Sequence, residues 1–276
     1  MDNTMEKVMR TLLMRTTPRP SLFFDVEVSE HCNLNCRCCG SMAPLAEKEL
    51  LDFEEYQRDL TRLSKISGGG VAHHINILGG EPLLHPDITK MLLFAREKFP
   101  VGDIRLVTNG ILLPQMKQEF WDALKVAKIH LAPTKYPVKV DYDAIQKKAE
   151  SMGILFSYFG DAQDGPWYHN QIDITGQRNE NHSFMHCGNA NECGVLSHGK
   201  LYPCPKVPKI RHFNKMFHLD LPVTTYDYLD IYQEGLTLQD IMEFYCHAVP
   251  FCRFCNTFAY HQTRWGISEK RIEEWT

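Results

Sequence analysis

The chain has 276 residues, of which 43% are hydrophobic and 23% charged, with a net charge of −4. That suffices for one large domain or two modest ones around an apolar core, and it argues against the basic stripe of a nucleic-acid binder. No apolar run reaches the ~18–20 residues that span a bilayer, and MDNTMEKVMRTLLMRTTPRP at the start lacks the pattern of a secretion signal. A cytoplasmic protein is expected, with no nucleic-acid partner and no membrane insertion.

Residues 22–28, LFFDVEV, read as a strand, and a loop with four cysteines, CNLNCRCCG (32–40), follows at once. Asp52 reads as an N-cap with Glu55 three residues on, ahead of Phe53, Tyr56, Leu60 and Leu63 at helical spacing. HHINIL (73–78) is a second strand that ends in Gly79-Gly80-Glu81-Pro82. Asp87 caps a helix carrying Ile88, Met91, Leu92 and Ala95. IRLV (104–107) is a third strand, ending in Thr108-Asn109-Gly110. Pro114 stands where the next helix would begin, with Met116, Phe120, Ala123 and Ala127 on one face. KIHLA (128–132) is a fourth strand, Asp141 starts a helix with Ile145, Ala149 and Met152, and ILFSYF (154–159) is a fifth strand. A short IDI (172–174) supplies a candidate sixth.

Strands alternating with helices imply a parallel sheet with right-handed crossovers. A full eight-unit barrel takes ~250 residues, whereas 22–180 holds five or six units. The expected fold is α/β: a partial (β/α)6 TIM-like barrel over 22–180, an N-terminal extension over 1–21, and a small cysteine-rich domain with a tail over 181–276. The thiol loop, GGEP and TNG all follow C-terminal strand ends, where such folds build active sites. After residue 180 the alternation stops. HCGNANECGVLSHGKLYPCP (186–205) reads as a thiol-bearing hairpin, and Thr237 with Asp240 opens a helix over 237–246.

The ten cysteines cluster at 32, 36, 38 and 39, at 187, 193 and 204, and at 246, 252 and 255. Clustered thiols in a reducing compartment read as metal ligands. Cys32, Cys36 and Cys39 form a CxxxCxxC set that can hold three irons of a 4Fe–4S cubane and leave the fourth iron open. A structural zinc would take four closed ligands, and a plain electron-transfer cluster a fourth cysteine. Cys38 is a poor fourth ligand, because neighbouring residues point apart.

CxxxCxxC after the first strand, GGEP after the second and TNG after the third resemble the radical S-adenosylmethionine (SAM) superfamily. The resemblance implies a SAM-binding 4Fe–4S cluster, reductive cleavage of the sulfonium to a 5′-deoxyadenosyl radical, and hydrogen abstraction from a C–H bond. It places Gly79, Gly80 and Glu81 along the methionine amine, and Thr108 and Asn109 near the ribose or the substrate. Cys38 stands where many members carry an aromatic residue near the adenine. A flavodoxin- or ferredoxin-type electron donor is implied by the family.

Cys187, Gly199 and Cys204, followed by Cys252-x-x-Cys255, resemble the twitch and SPASM auxiliary-cluster extensions. The resemblance implies a second, auxiliary iron–sulfur cluster of 4Fe–4S type on Cys187, Cys204, Cys252 and Cys255. Cys193 is the runner-up ligand, Cys246 reads as a free helical thiol, and a zinc ribbon is the alternative. APLAEKE, ILGGEPLLHP, TKYPV, GKLYPCP, RHFNK and PFCRFC resemble a subgroup associated with polysaccharide-biosynthesis genes. The expected substrate is a small sugar, cyclitol or nucleotide sugar, oxidised or epimerised, with Cys38, Cys193 or Cys246 as a possible hydrogen donor. Only 21 residues precede the first strand, too few for the leader-binding domain of many peptide-modifying relatives. A non-catalytic iron–sulfur redox protein is the other class. His85 reads as a satisfied loop histidine, Lys135 and Tyr136 as a turn or an anion site, and Trp265 as cover for the barrel's open side.

Overall fold

The structure is a computed structural model that describes residues 3–169 and 171–276. Residues 1 and 2 of the expected N-terminal extension lie outside the described residues. Helix α1 (Asn3–Thr16) leads into β1 (Leu22–Ser29), then α2 (Phe53–Ile66), β2 (Val71–Gly79), α3 (Ile88–Lys98), β3 (Val101–Thr108), α4 (Gln118–Val126), β4 (His130–Lys135), α5 (Tyr142–Ser151) and β5 (Gly160–Asp161). The chain continues through β6 (Trp167–His169), α6 (Glu180–His186), β7 (Val195–Ser197), β8 (Lys200–Tyr202), α7 (Lys206–Phe217), β9 (Leu229–Asp230), α8 (Leu238–Tyr245) and β10 (His261–Thr263).

One sheet runs β5-β4-β3-β2-β1-β7-β8-β9, while β6 and β10 pair separately. From β5 to β7 all neighbours are parallel; β8 and β9 are antiparallel additions. This is the mostly parallel sheet of a partial barrel, covered on one face by its crossover helices. Leu22, Phe24, Val26 and Val28 of β1, with Ile75, Ile77, Ile104, Leu106 and Leu131 on its neighbours, form the main core with α2–α5. The alternate residues line the other, inner face. There the register aligns four polar residues on four adjacent strands: Asp25 with Asn76, Asn76 with Arg105, and Arg105 with His130.

Helix starts follow local chemistry. The Asp52 carboxylate accepts from Glu55 N, that of Asp141 from Ala144 N, and Thr237 with Asp240 forms a capping box. Asp87 stands at the N-cap of α3, but its carboxylate accepts from Lys90 instead. Pro114 lies in a short 3-10 turn, and α4 begins only at Gln118.

Two strand expectations need correction. ILFSYF follows β4 through Leu131 N to Leu155 O, Ser157 N to Leu131 O and Phe159 N to Pro133 O, but regular pairing is reached only at Gly160–Asp161. IDI is no barrel strand, since Ile172 forms an antiparallel bridge with Cys255. The sixth parallel strand is β7, which pairs with β1 from the opposite edge through Asp25–Val195 and Val26–Leu196. It opens the expected thiol hairpin, whose turn places His198 and Gly199 both at positive φ, the arrangement of a type I′ hairpin. Behind it a second core gathers Tyr202, Val207, Ile210, Phe213, Phe251 and Trp275. Among the described residues no helix is long and apolar enough to cross a membrane.

Candidate metal and cofactor centre

The thiol loop leaves β1 under tight backbone control. Gly80 N donates to Ser29 O and Glu81 N to His31 O. A Cβ on Gly80 would lie 2.1 Å from His31 O, so glycine is required by the approach of GGEP to the thiol loop itself. Glu81 is fully buried. Its carboxylate accepts from Leu83 N at 3.0 Å, Thr108 Oγ1 at 2.6 Å and Asn109 N at 2.8 Å. Burial lifts this carboxyl to about 7, against the lowering effect of those three donors. Glu81 thus ties the GGEP turn to the TNG turn. Asn109 extends the tie: its Nδ2 donates to Asn33 Oδ1 at 2.7 Å and to Cys32 Sγ at 3.5 Å.

Three of the four tryptophans donate their indole N–H to the thiol loop: Trp265 to Cys36 Sγ at 3.2 Å, Trp275 to Cys39 O at 3.0 Å, and Trp167 to Arg37 O at 2.7 Å. Tyr136 bonds the Cys36 thiol as well, and its ring meets those of Trp167 and Trp265. The tail is laced on by backbone bonds from Arg37 N to Gly266 O and Ser268 N to Asn35 O. Trp265 therefore covers the loop directly. Trp167 and Trp275 escaped sequence reasoning because single aromatic residues in polar segments carry no periodic signal.

Cys32, Cys36 and Cys39 stand near enough to influence one another. Burial pushes Cys32 and Cys36 up to about 12 and raises Cys39 too. Buried thiols with such values stay protonated unless a cation binds them, and N–H donors already point at all three sulfurs. Cys38 sits at positive φ and faces Glu274 and Arg37. The three-cysteine set thus fits a cluster with an open iron. Among the described residues no three His, Cys, Asp or Glu side chains are arranged to hold a single metal ion; a cubane, with one iron per thiolate, takes a wider set.

The second set also converges. Cys252 lies in a 3-10 turn (Pro250–Phe254) that Cys255 caps and that Asp227 holds by accepting from Phe251 N at 2.6 Å. Cys187 ends α6 and Cys204 precedes α7. Burial raises Cys204 to about 12, followed by the influence of Cys255 and Cys187; Cys252 is raised too, with Cys255, Cys204 and Cys187 as neighbours. Cys193 is raised by burial and then by Asp25, ahead of Cys204 and Cys187. It lies at the edge of the set, toward the inner face of the sheet. Cys246 is buried and donates to Met242 O. His85 is satisfied by Leu51 O and Asp87 N, and Lys135 lies over the Tyr158 ring.

Residues 26–141 match the Radical SAM superfamily. They form a radical SAM domain. Domains of this superfamily bind SAM and a 4Fe–4S cluster. The GTP 3′,8-cyclase of Sulfurovum sp. (strain NBC37-1) is 35% identical over 104 residues, covering 37% of this chain and 31% of that protein. Molybdenum cofactor biosynthesis protein 1 of Bos taurus is 31% identical over 137 residues, 47% of this chain and 21% of its own length. The chain thus spans about a third or less of these relatives. BtrN in complex with AdoMet and 2-DOIA aligns with a TM-score of 0.55 at 16% identity, over 87% of this chain and 94% of that one, a likeness of fold.

Proposed function

We propose that the chain is a radical SAM enzyme that abstracts hydrogen from a small hydroxylated substrate, a sugar, cyclitol or nucleotide sugar, and so oxidises or epimerises it. The observation that carries this reading is the joining of three strand ends around Cys32, Cys36 and Cys39 by Glu81 and Asn109. A 4Fe–4S cluster on those cysteines, with SAM at its open iron, would supply an electron to the sulfonium and a 5′-deoxyadenosyl radical. Gly79, Gly80 and the backbone of Glu81 would face the methionine amine, while the Glu81 carboxylate acts as a positioning group. Thr108 and Asn109 would lie near the ribose or the substrate. Tyr136, Trp167 and Trp265 exclude water from the loop.

Cys187, Cys204, Cys252 and Cys255 would hold the auxiliary cluster. Of the other thiols, Cys193 stands beside Asp25 of the inner face, whereas Cys38 and Cys246 are turned elsewhere. Cys193 is therefore the best-placed hydrogen donor if the outcome is epimerisation. The similarity to the GTP 3′,8-cyclase of Sulfurovum covers only 37% of this chain and 31% of that protein, so it supports the chemistry and leaves the nucleotide substrate behind. A flavodoxin- or ferredoxin-type protein would deliver the electron.

Anaerobic reconstitution, reduction with dithionite and chromatography for 5′-deoxyadenosine test the reading. Wild type forms it and Cys32→Ala does not. Absence of product in wild type would favour a non-catalytic redox protein. With a substrate in hand, deuterium labelling separates a ketone product from solvent hydrogen recovered at carbon.

A further inference from the structure

The inner face of the sheet carries a row of polar side chains where a packed core would be apolar. Asp25, Asn76, Arg105 and His130 are register partners on β1, β2, β3 and β4. Asn76 Nδ2 donates to Asp25 Oδ1 at 2.6 Å. The Asn76 residue is only 6% exposed, yet its Oδ1 has no partner among the described residues. The hydroxyl of Tyr245 on α8, 1% exposed, is equally unpartnered, and it lies within the influence of Asp25. A buried polar atom left unpaired is destabilising, so two beside Asp25 point to a ligand that satisfies both. Exposure along the row is least at Asn76 and larger at Arg105 and His130, whose side chains are 33% and 20% exposed, so the row reaches solvent on β3 and β4.

Its position is also telling. Asp25 neighbours Cys193 at the edge of the second thiol set. In the other direction β1 climbs four residues, about 13 Å, to Ser29 beneath the first thiol loop. The row thus lies between the two centres.

We propose that Asp25, Asn76, Arg105 and His130, with the Tyr245 hydroxyl, form the substrate-recognition floor, and that it takes an uncharged or amine-bearing polyol and refuses a nucleoside triphosphate. Hydroxyl groups both donate and accept, which matches an open amide oxygen beside an open phenol. Charge decides against the triphosphate. The acids Asp25, Glu27 and Asp103 face Arg105, His130 and Lys209, and each of these already has a carboxylate partner: Arg105 and His130 that of Asp103, at 2.5 and 3.4 Å, and Lys209 that of Glu27. A triphosphate would enter with no free cation to meet it.

This inference rests on the radical reading above, and the test keeps the two apart. Saturation-transfer difference NMR is recorded on the anaerobic holoprotein with SAM, using myo-inositol, D-glucose, D-glucosamine and GTP as probes. At least one of the three polyols receives saturation, the signal falls five-fold or more in Asn76→Leu and weakens in the isosteric Tyr245→Phe, and GTP receives none. Transfer to GTP above that to the polyols, polyol signals unchanged in both variants, or no polyol signal in wild type overturns the proposal. 5′-Deoxyadenosine formation by the same wild-type sample is read in parallel; its absence defeats the radical reading instead.

Discussion

The Trp265 indole donates to the Cys36 sulfur at 3.2 Å, fastening the end of the chain to the middle cysteine of the first thiol set. Hydrogen bonds to cluster sulfurs favour the reduced state. Trp265→Phe keeps an aromatic ring and loses the donor. The first cluster should still assemble, with a midpoint potential more negative by on the order of 40 mV, the one-electron equivalent of about 1 kcal/mol. EPR-monitored redox titration checks this, and an unchanged potential would show that the bond does not tune the cluster.

Gly80→Ala places a methyl against the His31 carbonyl, a backbone atom that cannot swing aside. The thiol loop must then shift. Iron and sulfide analysis after reconstitution should find the first cluster largely missing while the second persists.

The two candidate ligands of the second set part in a simple comparison. Cys204→Ser should lose the auxiliary cluster, whereas Cys193→Ser should retain it, because Cys193 lies toward Asp25 at the edge of the group. Mössbauer and iron counts on each variant read the outcome; the reverse pattern would move the ligand from 204 to 193.

Lys209, its side chain 2% exposed, is held between Glu27 and Glu30, and His212 bonds the other oxygen of Glu30 at 2.7 Å. Lys209→Met leaves the buried Glu27 carboxylate without its cation, while Glu30 keeps Arg211 and His212, a loss of about 3–5 kcal/mol. Chemical denaturation should show it, with partial recovery in Lys209→Met/Glu27→Gln. A loss below about 1 kcal/mol would mean that the carboxylate finds water instead.

Burial raises the Asp25 carboxyl to about 7, opposed by the Asn76 bond and by Arg105. Between pH ~4 and 7 the folded protein therefore keeps a proton that the unfolded chain has released. Stability declines as pH rises through that window and is level above it. Asp25→Asn removes this share of the decline, so the Tm difference between pH 5 and pH 8 should narrow. Glu81, raised to about 7 by burial, leaves a residual slope of the same sign.

The sequence made the thiol loop, GGEP and TNG legible because each sits in a short motif beside a strand of strong apolar character. It also showed the caps Asp52, Asp141 and Thr237, whose chemistry is local. Helix α7 stayed hidden. Its buried positions include Lys206, Lys209 and His212 beside Val207, Ile210 and Phe213, so the apolar stripe reads as polar. The task of Glu81 was equally out of reach, since two of its donors come from residues 27 and 28 places on. The inner-face row left one trace, the charges at Asp25 and Glu27 within an otherwise apolar strand. Only the register on β2, β3 and β4 turns that trace into a row.

The pairing of β7 with β1 has a further consequence. A fragment ending near residue 180 would leave β1 with a bare hydrogen-bonding edge, the kind of surface that recruits other chains and precipitates. The N-terminal portion is therefore a poor module for grafting, and the C-terminal portion cannot be exchanged between proteins as a loose cassette. The smallest piece that can be transplanted intact carries both groups of cysteines.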